Sequence, residues 1–157
     1  MLEEVAAWET ALKMIKEGIR PPIVHVATGL SKIKLRLVYQ QVHGIPPAKG
    51  PVRRYAYRCF TKAWQVLEAT AYFKVYRTMG GDCIWRILNS NLVIDAYITY
   101  KQTAAVRIID ATTAWYVARD VREALIQIKN CPYCGQEILY DFRSDYMRRC
   151  YHCRREI

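Results

Sequence analysis

Residues 131–153 read Cys131-Pro132-Tyr133-Cys134-Gly135-Gln136-Glu137-Ile138-Leu139-Tyr140-Asp141-Phe142-Arg143-Ser144-Asp145-Tyr146-Met147-Arg148-Arg149-Cys150-Tyr151-His152-Cys153. Two Cys-x-x-Cys pairs stand fifteen residues apart. Two residues between cysteines let both sulfurs of a tight turn converge on one ion, and a pair of such turns at this spacing is a tetrathiolate signature. Gly135 supplies the permissive backbone that such a knuckle needs. Four protein thiolates leave no open coordination position, so the stretch reads as a closed structural site for one zinc ion, with Cys131, Cys134, Cys150 and Cys153 as ligands. Iron suits the same sulfur cage. Two disulfides or four free thiols are the other arrangements, and a cytosolic chain disfavours the disulfides. His152 is expected to be a bystander. Between the pairs, Ile138-Leu139-Tyr140 and Tyr146-Met147 predict two short strands joined by a turn at Arg143-Ser144-Asp145. Cys59 and Cys83 are isolated and read as small buried hydrophobes.

Upstream of this ribbon the pattern is helical. Ile108, Ala111, Trp115, Ala118, Val121, Leu125 and Ile128 form an apolar stripe running directly into Cys131. Phe60, Trp64, Leu67, Ala71 and Val75 predict a helix over 53–78 that ends at Gly80-Gly81, and Val93, Ala96, Tyr97 and Tyr100 predict a shorter one. The expected architecture is all-α: a helical domain over 1–129 and a four-cysteine zinc module over 130–157. Twelve tyrosines are many for 157 residues. Tyr55, Tyr57, Tyr72, Tyr76, Tyr97 and Tyr100 exceed what one small core needs, which suits a subunit interface.

Charge sharpens this reading. Twenty-four Lys and Arg against fourteen Asp and Glu leave a formal charge of +10, and a tetrathiolate zinc site would bring it nearer +8. From Gly18 to Leu67 there is no acidic residue, yet nine cations occur. A long segment of one sign repels itself unless something anionic answers it, so a polyanionic partner is expected. Within it, Thr28-Gly29-Leu30-Ser31-Lys32-Ile33-Lys34-Leu35-Arg36-Leu37-Val38 reads as the turn and second helix of a helix-turn-helix. A helix over 10–19 precedes it, Arg20-Pro21-Pro22 breaks the chain, and a short helix covers 23–28. Ser31 caps a helix that runs to His43. At about 100° per residue, Lys32, Arg36, Tyr39, Gln40 and His43 share a stripe. Leu30, Ile33 and Leu37 form one apolar patch, and Leu35, Val38 and Val42 another. Both patches cannot face one core, so the helix is buried on two sides or one patch meets a partner. His25 and His43 are expected to be satisfied or surface histidines. The stiff loop Ile45-Pro46-Pro47-Ala48-Lys49-Gly50-Pro51 then presents Lys49, with Arg53 and Arg54 close behind. Lys32, Lys34, Arg36, Gln40, Lys49, Arg53 and Arg54 are therefore the expected DNA contacts, the helix stripe toward the groove and Lys49, Arg53 and Arg54 toward phosphates. Arg143, Arg148, Arg149, Arg154 and Arg155 crowd the ribbon, either balancing its negative cage or meeting nucleic acid.

Several classes are excluded. There is no stretch of 18 uncharged residues for a membrane span, and the acidic start Met1-Leu2-Glu3-Glu4-Val5 carries no secretory h-region, so a cytoplasmic chain is expected. No phosphate-binding glycine loop, G-x-S-x-G elbow or H-x-E deaminase motif occurs. The chain is expected to be no enzyme and to take no small-molecule substrate.

Gly18-Ile19-Arg20, Thr28-Gly29-Leu30-Ser31 with Arg36, Leu37 and Tyr39, Gly44, Pro46-Pro47-Ala48-Lys49-Gly50, Phe60, Ala63-Trp64-Gln65 and the two Cys pairs together resemble the FlhC family, the zinc-containing subunits of the bacterial flagellar master activator. The resemblance implies an all-helical fold and zinc ligation by Cys131, Cys134, Cys150 and Cys153. It further implies assembly with an FlhD-like subunit, binding to double-stranded promoter DNA, and activation of flagellar operons through RNA polymerase. Charge alone does not separate DNA from RNA. An RNA-binding or ribosome-associated zinc protein, or an adaptor whose ribbon docks protein, is the alternative.

Overall fold

The structure, a computed structural model, describes residues 1–104 and 106–157. Among them are six α-helices and two short strands, confirming the mainly helical expectation. They fall into two compact units, one of Met1–Val52 with Asp110–Thr112, the other of Arg53–Ile109 with Thr113–Ile157.

In the first unit, α1 (Leu2–Lys16), α2 (Pro21–Thr28) and α3 (Lys32–His43) pack pairwise. Helix α1 starts eight residues earlier than the apolar spacing suggests, because Glu3 and Glu4 favour a helix N-terminus and Lys13 and Lys16 its C-terminus. Pro21 and Pro22 open α2 instead of ending before it. Proline lacks only an N–H that the first turn would leave unpaired. Gly29 and Gly44 close α2 and α3 in the left-handed conformation, at φ 74° and 71°, each donating its N–H to the carbonyl four residues back at 2.8 Å. Both histidines are satisfied, as expected. His25 Nδ1 lies 2.6 Å from the Leu30 carbonyl, and His43 Nε2 lies 2.7 Å from that of Ile15, tying α3 to α1.

In the second unit, α4 (Ala63–Gly80) packs against α5 (Ser90–Thr103). Tyr72, Tyr76, Tyr97 and Tyr100 are all buried here, with Tyr72 ringed by the other three at centroid distances of 6.0–6.5 Å. These four therefore build core. The aromatic excess read as an interface is largely a tyrosine-centred interior. Tyr97 Oη donates to the Ile109 carbonyl at 2.8 Å and Tyr100 Oη to Glu68, so most of the polar tips are answered. Burial, with the Glu68 hydrogen bond, pushes the Tyr100 hydroxyl well above its usual range; burial raises that of Tyr76 to about 12.

Four sequence expectations need correcting. The helix expected over 53–78 begins at Ala63. Before it, Ala56–Cys59 forms a 3-10 turn whose Ala56 N–H donates at 2.7 Å to the buried carboxylate of Asp120. Gln65 then reaches back to accept from the N–H groups of Thr61 and Lys62 at 2.7 and 2.9 Å, a capping arrangement that starts the helix there. The long stripe into Cys131 is also interrupted. Helix α6 (Ala111–Arg122) stops, Ala124 turns left-handed at φ 58°, and the N–H groups of Leu125 and Ile126 fold back onto the Asp120 carbonyl. Strand β1 (Gln127–Asn130) follows and pairs antiparallel with β2 (Glu137–Tyr140), Ile128 opposite Leu139 and Lys129 opposite Ile138. Tyr146-Met147 lies in a turn, so the partner of 138–140 precedes the first cysteine pair. Finally, Cys59 is buried but Cys83 is exposed.

Candidate metal centre and nucleic-acid interface

The first cysteine pair is the tip of the β1–β2 hairpin. Cys131 N–H donates to the Gln136 carbonyl at 2.8 Å, and Gly135, left-handed at φ 73°, donates to the Cys131 carbonyl at 2.9 Å. The second pair repeats this wiring. Cys150 N–H donates to the Arg155 carbonyl at 2.8 Å, and Arg154, left-handed at φ 62°, donates to the Cys150 carbonyl at 2.8 Å. Arg149 and Glu156 bridge outside it as Asn130 and Glu137 do outside the first. Two knuckles of one geometry thus face each other, 16 to 22 residues apart across their facing sulfurs.

All four sulfurs lie within 4.8 Å of one another, with Cys131–Cys153 at 3.7 Å and Cys134–Cys150 at 3.5 Å. A tetrahedron with metal–sulfur bonds of about 2.3 Å has edges of roughly 3.8 Å, so the donor set fits a zinc-sized ion. The separation is far from the ~2 Å of a disulfide. Every cysteine here is a free thiol. Burial raises the Cys131 thiol, but N–H groups of Cys134 and Tyr133 and the neighbouring thiols outweigh it and bring the thiol down to about 6. A pocket that already favours one thiolate is suited to a cation. Cys131, Ile138 and Cys150 form a small buried cluster against which Cys153 and Ile157 pack. His152 is exposed and outside the quartet, as expected.

The arginines around the quartet divide. Arg143 is committed to the fold: it holds the buried Asp141 through Nε at 2.9 Å and Nη2 at 2.7 Å and stacks on Tyr57 and Tyr55. Arg148 pairs with Asp145, and Arg155 lies over the Tyr133 ring. Arg149 and Arg154 have no acidic partner among the described residues.

The expected nucleic-acid contacts also divide. Lys32 and Arg36 of α3 and Lys49 of the proline loop line one cleft of about 440 Å³ with Arg20, Pro21 and Pro47. Sequence reasoning treated Arg20 as one more cation, but it is the loop's clamp. Its guanidinium donates to the carbonyls of Ala48 at 2.6 Å, Gly50 at 2.8 Å and Pro51 at 3.3 Å. Three carbonyls with no helix or strand to satisfy them, opposite the one arginine beside Pro21-Pro22, were the available signal. Gln40 is exposed two turns along α3 from Lys32. Lys34 lies elsewhere, lining a cleft with Glu3, Glu4 and Trp8. Arg53 and Arg54 are exposed in the second unit, where the Arg54 carbonyl accepts from Arg119.

Helix α3 buries Leu35 alone. Ile33 is 74% and Leu37 59% exposed, so among the described residues nothing covers this part of the Leu30–Ile33–Leu37 patch.

The fold and the quartet define a mostly helical protein with a C-terminal four-cysteine module able to hold a metal ion. The model of the flagellar transcriptional activator (FlhC) family matches residues 1–155. The chain belongs to that family. It is similar to the flagellar transcriptional regulators FlhC of Sodalis glossinidius, at 26% identity over 98% of this chain and 80% of that one, and of Thauera aminoaromatica, at 27% over 94% and 77%. The match to the Paraburkholderia atlantica regulator, at 24% identity, covers 82% of this chain and 60% of that protein's length.

Proposed function

We propose that this chain is the DNA-binding subunit of a transcriptional activator of flagellar genes, that it works in the cytoplasm on double-stranded promoter DNA, and that it performs no catalysis. The observation that carries the reading is the basic cleft of the first unit. Lys32 and Arg36, one turn apart on α3, meet Lys49 on a loop that Arg20 holds in place. A fixed cation cluster beside a helix-turn-helix segment suits phosphate contacts that set register, with Gln40 farther along the same face toward base edges. Arg53 and Arg54 add phosphate contacts, and Lys34 a weaker one beside Glu3 and Glu4.

The quartet holds one zinc ion, ligated by Cys131, Cys134, Cys150 and Cys153. A four-thiolate ion supplies a structural crosslink and no Lewis-acid chemistry. The module over 130–157 fixes the C-terminal fold, while 1–129 carries DNA and partner binding. Ile33 and Leu37, exposed on α3, support assembly with an FlhD-like subunit, and the resulting hetero-oligomer recruits RNA polymerase.

The test is the salt dependence of duplex binding by the zinc-loaded chain with its partner. Each phosphate contact contributes about −0.9 to the slope of log K against log salt. The triple variant Lys32→Ala, Arg36→Ala, Lys49→Ala should flatten the slope by roughly 2.7, and Arg53→Ala with Arg54→Ala by roughly 1.8. Unchanged slopes refute the assignment, and stronger binding to structured RNA than to duplex transfers the reading to RNA.

A further inference from the structure

The second unit contains a larger cleft than the one assigned to DNA. It is about 580 Å³, within the range of ligand sites. Arg148, Arg149 and Arg154 line it with Tyr146, Tyr151 and Ala63, the first residue of α4. Asp145 and Glu156 also lie in its wall, so the arginines outnumber the acids three to two.

Two features show that the fold leaves donor capacity at Arg154 and Arg148 unused. The first is Arg154. The two knuckles share one backbone wiring, and the left-handed position that Gly135 fills in the first is filled by Arg154 in the second. An L-residue there costs about 1–2 kcal/mol that glycine would avoid, and the Arg154 side chain makes no hydrogen bond or ion pair among the described residues to offset it. It lines the cleft instead. The second is Arg148. It donates through Nη2 to Asp145, while its Nε is buried with no partner. An unpaired buried donor is unfavourable until something accepts from it. Nor do the guanidiniums neutralise the cysteine cage directly, since the described hydrogen bond to a cysteine sulfur from outside the quartet comes from the Tyr133 N–H.

We infer that this cleft is a phosphate-binding site, in which Arg148, Arg149 and Arg154 hold the oxygens of a phosphate group. Guanidinium forks match phosphate oxygens with charge-assisted hydrogen bonds. The group comes either from a free phosphorylated ligand or from a nucleic-acid backbone. The site does not depend on the DNA cleft of the first unit.

The test uses the zinc-loaded full chain at low ionic strength, titrated with inorganic phosphate by 31P NMR line broadening. Arg154→Gly suits this test because it relieves the strained backbone: zinc content should be unchanged and Tm equal or higher. Phosphate affinity should fall about tenfold, the loss expected for one charge-assisted contact. Arg149→Ala should weaken it similarly, and Arg86→Ala, an exposed arginine outside the cleft, should not. Absence of millimolar binding by the parent chain, or equal affinity in all three variants, overturns the site. A parallel titration with promoter duplex identifies the source. Weaker duplex binding by Arg154→Gly, with phosphate competing, assigns a nucleic-acid backbone; unaltered duplex binding alongside the loss of free phosphate assigns a small phosphorylated ligand. If the parent chain ignores duplex altogether, the proposed function fails while the phosphate titration still judges this cleft.

Discussion

Removing the metal should melt the C-terminal module and leave the helical core standing. The non-ligand apolar side chains of its cluster are Ile138 and Ile157. Complete burial of each would contribute about 1.5–3 kcal/mol, so together they supply at most roughly 6 kcal/mol. Structural zinc in comparable small modules contributes about 10–16 kcal/mol at neutral pH. At the quartet itself the metal term is therefore the larger, while Leu139 and Met147, buried elsewhere in the module, add packing that does not depend on the ion. Hydrogen exchange at single-residue resolution checks this directly. In the zinc-loaded chain the ladder amides of β1 and β2 and those of Gly135 and Arg154, each bonded to a cysteine carbonyl, should be protected. After chelation, with metal loss verified by elemental analysis, they should exchange at rates near those of a free peptide, while α4 and α5 keep their protection around the tyrosine core. Unaltered protection of 127–140 in verified metal-free protein would refute the reasoning, since the module would then stand on side-chain packing alone.

Other outcomes follow from particular residues. Arg20→Ala should loosen the 46–51 loop and cost about 1–2 kcal/mol, seen as faster backbone motion at Ala48–Gly50 in 15N relaxation; an unchanged loop would remove Arg20 as its clamp. Ala124→Gly should stabilise by about 0.5–1 kcal/mol, because glycine takes the left-handed conformation at φ 58° without steric cost; thermal melting showing a loss would contradict this. Ile33→Lys with Leu37→Lys should leave Tm nearly unchanged, within about 0.5 kcal/mol for exposed positions, yet abolish co-purification with an FlhD-like partner. A folded variant that still captures the partner would take α3 out of that interface.

The metal quartet was legible from spacing because two residues between cysteines already limit where their sulfurs can go. No long-range information is needed to place each pair in a knuckle. The turn at Gly29, the closing Gly44 and the end of α4 near Gly80 were legible for a similar reason, since glycine marks backbone that other residues rarely adopt. Where an ordinary residue takes that conformation, the marker is missing. Ala124 and Arg154 are both left-handed, and the apolar period across Ala124 continues by coincidence from α6 into β1, so one long helix was expected where helix and strand meet. The 3-10 turn that displaces the expected start of α4 was equally hidden, because its Ala56 N–H is answered by the Asp120 carboxylate across 64 positions of chain, whereas the Gln65 cap that then opens the helix is local.

The chain's residue order, then, was enough for a helical protein with a four-cysteine module and a long segment of positive charge without acids, because periodicity, cysteine spacing and charge are local properties. Which cations meet was a matter for the folded chain. Arg20 spends its charge on three loop carbonyls and Arg143 on a buried carboxylate, and Lys34 lines a cleft that also holds Glu3 and Glu4, while Lys32, Arg36 and Lys49 converge on a second cleft and Arg148, Arg149 and Arg154 on a third. Like charges in sequence become structural or available for a ligand according to the oxygens that folding brings within reach, which come from a neighbour two positions away for Arg143 but from 28 to 31 positions away for Arg20.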